Sequence, residues 1–442
     1  MKFLRNQKRS YRIAVMLMFF LMTLITSVYQ SNYNFLLFFA VLAIVVLTIL
    51  ISDSIIPFMI FLSFYGIINR FIFFYTDGFI YSFLFLVPVF IALFFIDEII
   101  SNFTSARMKT KIFTIIYLVF ILYVSFAFSL KDIVSSGISF IVYFAPVLYA
   151  MIKRFSCEDI EKTIKIAFPF ILTLFLFQLF NKYFYFDKYY FNKVSSYIFT
   201  SLKLGSHYRP FSAFSSSEEF SAFLGLSSII GLSAKSKYIK IISILSFIVL
   251  IILSVRTALV IIIVTVLFYL LRNKKYKLML SVMSVILLLI LISNIFIKDT
   301  RVYKTDSRPV TILKHTFEPL KSLTDTYSVR KRIESVQNIA DELKNHPFGK
   351  GMTHAESVLM NKKQDYPIES SALKLIRSGG LPIFLFLFIV YIISIINLFK
   401  RKESLSLYVI FFSLLSLLFM NGLTMHFISV IIIKSIMDGY GL

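Results

Sequence analysis

Residues 239–271 read IKIISILSFIVLIILSVRTALVIIIVTVLFYLL: an apolar run, a short polar turn built around Arg256, and a second apolar run. A membrane β-barrel would show short segments that alternate apolar and polar residues, and these runs are continuous. The same alternation of apolar block and short link fills most of the chain. Apolar runs fall near Ile13–Val28, Phe35–Ile51, Ile55–Phe74, Phe79–Ile96, Ile112–Phe128, Ile138–Ile152, Ile164–Phe180, Phe220–Leu232, Ile239–Leu253, Thr257–Leu271 and Leu278–Ile297. Leu381–Phe399, Leu405–Met420 and Met425–Met437 follow a long polar insert. Several of these roughly fourteen runs are shorter than the ~20 residues that cross a bilayer, so about 12–14 spans are expected. The reading is an all-α polytopic integral membrane protein. In the Ile55–Phe74 run, Pro57, Asn69 and Arg70 predict a kinked or partly inserted helix.

Composition agrees with that class. Of 442 residues, 58% are hydrophobic and 16% charged, more apolar side chain than a water-soluble core can hide. The net charge of +23 first suggests nucleic acid, yet Lys and Arg sit in short links between apolar runs. A nucleic-acid reader would gather them on one soluble face, so that class is excluded. The single cysteine, Cys157, excludes an internal disulfide and a multi-cysteine metal site. Without Trp, an interfacial aromatic belt falls to Tyr and Phe. The opening MKFLRNQKRSYR and the apolar run after it lack a small-x-small cleavage site and read as an uncleaved first helix.

Alternate links set the orientation. The N-terminal tail, Arg107/Lys109/Lys111, Lys153/Arg154/Lys162/Lys165, Lys235/Lys237/Lys240, Arg272/Lys274/Lys275/Lys277 and Lys400/Arg401/Lys402 are basic and fall on one side when the runs are counted in order. By the positive-inside rule that side is cytoplasmic, both termini included. The chain then divides into a helix bundle over residues 1–297 with an outer-side link at 181–219, an extracytoplasmic loop at 298–371 and closing helices at 372–442. Outside also lie the aromatic NKYFYFDKYYFNK opening the link, expected in the headgroup layer, and the turn at Arg256.

In the extracytoplasmic loop, Val329, Ile333, Val336, Ala340 and Leu343 recur at spacings of four and three, which predicts an amphipathic helix buried along that stripe. Thr326 or Ser328 would cap its start, and Asn345-His346-Pro347 would end it. Arg332 falls at the edge of the stripe, about 60° from Val329, and Arg330 toward solvent. Arg209 precedes the helix that begins near Phe220. Guanidinium groups offer a planar fork of donors suited to phosphate oxygens, although an arginine at a helix end also snorkels to headgroups. Glu369 stands just before the chain re-enters an apolar run, where a carboxylate serves as a general base or as a first-turn or capping acid. His346 and His354 are rival bases. Glu218 and Glu219 read as acids complementing a helix dipole. There is no HExxH, paired cysteine, P-loop or GxGxxG, so neither a metal nor a nucleotide cofactor is expected.

Four stretches carry a resemblance: RPFSAFSSSEEFSAFLGL at Arg209–Leu226, LSVRTALV at Leu253–Val260, RIESVQNIADELKNHPFGKG at Arg332–Gly351 and ESSALKLIRSGGLPIF at Glu369–Phe384. In this order, and on one side, they resemble the O-antigen ligase and polysaccharide polymerase superfamily, the Wzy-like membrane glycosyltransferases. The resemblance implies a GT-C-like fold in a bacterial cytoplasmic membrane. It further implies donor and acceptor glycans on undecaprenyl diphosphate, with no cofactor or metal, and a flippase and a chain-length regulator as partners. Carried over by motif, Arg209 and Arg256 would grip the diphosphate, Arg332 would steady the donor, and Glu369 would orient or deprotonate the acceptor hydroxyl. Arg330 and His346, in the same loop, are further candidate substrate contacts. Ligases of this superfamily place His where this chain has Glu369, which tilts the expectation from ligase to polymerase. A lipid-linked oligosaccharide flippase is the alternative of a different class.

Overall fold

The computed structural model describes residues 55–76, 95–126, 147–151, 156–180, 182–194, 203–204, 207–208, 210–214, 216–234, 236–253, 255–284, 288, 327–351, 370–401, 405–420 and 431–437. Their architecture is all-α. The helices are α1 (Ile56–Thr76), α2 (Ile96–Ser105), α3 (Met108–Phe126), α4 (Cys157–Leu179), α5 (Tyr185–Val194), α6 (Ser217–Ser233), α7 (Lys237–Leu253), α8 (Arg256–Arg272), α9 (Tyr327–Asn345), α10 (Ser371–Arg401) and α11 (Leu405–Phe419). A two-residue antiparallel ribbon pairs Lys203 with Tyr208 and Leu204 with His207. The expected runs Ile13–Val28 and Phe35–Ile51 lie outside the described residues, as do most of Phe79–Ile96, Ile138–Ile152 and Leu278–Ile297 and the first part of Met425–Met437.

Several elements depart from the sequence expectation. Helix α1 runs without a break through Asn69 and Arg70, both buried. Pro57 is its second residue, where the missing N–H would have no intrahelical partner anyway. Helix α4 begins well before the apolar run at Ile164, because Ser156 and Asp159 form a reciprocal capping box. A separate amphipathic helix, α2, occupies what reads as a plain link. The aromatic YFDKYYFNKV segment forms α5, which packs against α1 through ring pairs Phe71–Phe186, Phe73–Tyr190 and Phe74–Tyr185. Among the described residues one helix, α10, is long and apolar enough to cross a bilayer by length and composition, and four apolar helical segments are shorter.

Helix α6 lies at the centre, buried along nearly its whole length and packed against α7, α8 and α11. The contacts also fix which helix ends meet. Toward one end, Lys165 in the first half of α4 sits 5.4 Å from the Tyr238 ring at the start of α7. Asn273 after α8 donates to the Tyr408 hydroxyl near the start of α11 (3.1 Å), and Arg272 lies 5.4 Å from Phe399 near the end of α10. At the other end, Phe175 late in α4 meets Phe220 early in α6. There Ser371 N–H at the start of α10 also donates to Met420 O after α11 (2.9 Å).

Candidate functional site

The turn 210–214 connects directly to Arg209 and leads toward α6. It is held directly from two helices, α1 and α4, and through Arg70 from a third, α5. Arg70 of α1 donates through Nε to Asp187 Oδ1 of α5 (2.8 Å), through Nη2 to Ser212 O (2.9 Å) and through Nη1 to Phe214 O. Its guanidinium also lies 4.5 Å from the Phe211 ring centroid. From α4, Gln178 Oε1 accepts the backbone N–H of Phe211 (2.9 Å) and of Ser212 (2.7 Å). Ser212 Oγ donates to Ile171 O at 2.6 Å. Both partners of the ion pair are fully buried. Burial pushes the Asp187 carboxyl above its ordinary range, against the opposing pull of the Arg70 guanidinium. The turn comes close enough to α1 that a Cβ on Gly66 would stand 2.6 Å from Ala213 O.

A second junction joins α9 to α10 through the phrase NHPFGKG. Helix α10 contains Gly380 at φ 70° and ψ −172°, which divides it into two helices. Pro382 has no N–H to give to Ser378 O four residues back. Gly351 N–H supplies that bond instead (2.8 Å), and Lys350 N–H donates to Arg377 O (2.8 Å). Gly349, at φ 85°, and Gly380 face each other so closely that a Cβ on either would collide with the opposite backbone. The side chains lock the same seam. Arg377 forks onto both oxygens of Glu342 (3.0 and 3.2 Å), and Lys350 Nζ reaches Glu342 Oε1 at 3.1 Å.

The sequence-proposed residues distribute as follows. Arg256 is the first residue of α8, and Arg330 and Arg332 belong to α9; the side chains of all three lie outside the described residues, as do Arg209, His354 and Glu369 entirely. His346 is exposed just beyond α9. Ser370 caps the start of α10: its Oγ accepts from Leu373 N–H (3.3 Å) and donates to Leu418 O (2.9 Å). Glu218 and Glu219 do fall in the first turn of α6, where Ser216 caps. The expected stripe of α9 is corrected: Ser335 and Ile339 are buried, while Ile333 and Val336 are half exposed. Ser335, Ile339 and Glu342 fall at spacings of four and three, so the face that packs is the one that carries the seam with α10.

The helix ends bring the four quoted stretches to one end of the bundle. Helix α6 starts beside the end of α4, and α7 finishes at that same end, so α8 begins there with Arg256. Helix α10 starts beside the end of α11, whose opposite end meets the end of α8. The residues that sequence reasoning missed are Arg70, Gln178, Asp187, Glu342, Lys350 and Arg377. Arg70 had a signal, an ionisable residue within an apolar run. Among the described residues no group of His, Cys, Asp and Glu is arranged to hold a metal ion. Comparison with protein families, curated proteins and solved structures finds no match.

Proposed function

We propose that this chain is a polytopic membrane glycosyltransferase, a polymerase joining undecaprenyl-diphosphate-linked oligosaccharide repeats at the outer face of a bacterial cytoplasmic membrane. One observation carries the reading: the helices that carry the four stretches resembling the polymerase superfamily present them toward one end of the bundle, away from the basic links. The contacts at the opposite end involve Lys165, Arg272 and Asn273, which belong to or adjoin the links that the positive-inside rule assigns to the cytoplasm.

The distribution of side chains supports a lipid setting. Outward faces carry large apolar residues at helical spacing, such as Ile241, Ile244, Ile248 and Ile251 on α7 and Leu381, Leu385 and Ile389 on α10. Inward faces carry serines: Ser221, Ser246, Ser394, Ser413 and Ser416 are fully buried. Small polar residues between helices and apolar residues outside are what a bilayer selects.

In the proposed reaction the acceptor sugar hydroxyl attacks the anomeric carbon of the donor. A new C–O bond forms, the anomeric C–O bond to phosphate breaks, and undecaprenyl diphosphate leaves with the electron pair. Glu369 takes the hydroxyl proton. Arg209 and Arg256 hold the diphosphate as negative charge develops on it, Arg332 steadies the donor, and preorganised donors at that point contribute most to the rate. Attack from the opposite face inverts the anomeric centre. In cells, Arg209→Ala, Arg256→Ala and Glu369→Ala at unchanged protein level each abolish long-chain polysaccharide and leave single repeats on the carrier. Polymer persisting in all three contradicts the assignment. Finished polymer accumulating on the carrier makes the enzyme a ligase instead.

A further inference from the structure

We propose that Arg70 and Asp187 are positioning residues: their buried ion pair holds the turn 210–214, the segment that follows Arg209 in the chain, in a strained shape that the reaction requires. This rests on the polymerase reading for its chemistry, but its geometry stands separately. Ser212 adopts φ 52°, a left-handed conformation that a residue with a side chain avoids. Such outliers persist where the surroundings over-determine them. Here they do: Ser212 N–H, O and Oγ are all engaged, by Gln178, by Arg70 and by Ile171 O.

The amount of fixing exceeds what the fold requires. Helix α6 already has its own start, with Ser216 Oγ accepting from Glu219 N–H (3.2 Å). It is packed by α7, α8 and α11 independently of the turn. A fully buried arginine and aspartate are costly to keep, and replacing such pairs by apolar residues is often neutral or stabilising. The pair therefore serves specificity of shape. Only a forked guanidinium reaches one carboxylate, two carbonyls of the turn and the face of Phe211 together; a lysine ammonium is a single point of charge.

The test uses full-length protein in lipid-containing detergent, with a synthetic undecaprenyl-diphosphate repeat as substrate. Arg70→Lys and Ser212→Gly are compared with wild type, and Asn102→Ala serves as a control. Asn102 donates to Met151 O at the opposite end of the bundle (2.8 Å). Glycine at 212 removes both the left-handed penalty and the Oγ bond to Ile171 O, two opposing effects, so melting temperature stays near wild type while the turn loosens. The proposal expects kcat to fall about 10- to 100-fold in both variants. It expects KM to change little and melting temperature to stay near wild type in Ser212→Gly. Amide exchange at Phe211 and Ser212 should accelerate while that of α6 stays slow. Asn102→Ala should lower melting temperature and leave kcat alone. Wild-type kcat in both variants, or unchanged exchange in the turn, overturns the proposal. So does a kcat loss that tracks melting temperature across all three variants, since that is a structural role alone. If wild-type protein turns over no substrate, the polymerase reading falls, and exchange still decides whether the pair fixes the turn.

Discussion

Glu342 meets two cations of unequal freedom. Arg377 is 2% exposed at its side chain and holds the carboxylate with a fork, whereas Lys350 is 28% exposed and touches one oxygen. Removing Lys350 leaves Glu342 still paired, and the freed seat is partly in water. Removing Glu342 leaves a buried guanidinium without the carboxylate it forks onto. We therefore expect Lys350→Ala to cost under about 1 kcal/mol, as exposed pairs do. Glu342→Ala should cost about 3 kcal/mol, the range for breaking a buried pair. Thermal melting of the purified protein checks the order; a larger loss in Lys350→Ala would contradict this account of the seam.

At the scale of elements, the break in α10 and the loop after α9 are one device. Pro382 orphans Ser378 O, Gly380 turns the chain aside, and the N–H groups of Lys350 and Gly351 fill the gap. Gly380→Ala would place a side chain at φ 70° and against Pro347 O, at a cost of about 1–3 kcal/mol for the backbone alone. The expected result is release of the loop, read as faster amide exchange at Lys350 and Gly351 with the core of α6 unchanged. Slow exchange there would mean that the seam does not depend on the glycine. In the sequence RSGGLP reads only as part of a resemblance, and no break in the helix is drawn from it; the glycines and proline are visible in the chain, but their partner is not. A carbonyl left vacant by proline is visible in the chain; which distant N–H fills it depends on tertiary packing. The same limit explains the α9 stripe. Periodicity ranks apolar residues and is blind to a charged pair such as Glu342–Arg377, which decides the face that packs.

Across the whole molecule, the all-α reading was legible, because continuous apolar runs with short links recur along the chain. The Arg70–Asp187 pair was legible only as an anomaly, since its partners lie far along the chain in α5 and the turn 210–214. The grouping of ends yields a sidedness test. In a Cys157→Ser background, Phe348→Cys and Lys274→Cys introduce thiols at two exposed positions at opposite ends of the bundle. A membrane-impermeant maleimide applied to intact spheroplasts should label position 348 and spare position 274, which reacts only after permeabilisation. The reverse pattern would put the NHPFGKG loop in the cytoplasm and favour a transporter.

The most direct test is chemical. Purified protein, given only a synthetic undecaprenyl-diphosphate repeat in chelator-treated buffer, should yield a ladder of products lengthening by whole repeats. Each new linkage should have the anomeric configuration opposite to that of the donor. Absence of any ladder from folded protein, or a ladder whose new linkages retain the donor configuration, would contradict the account.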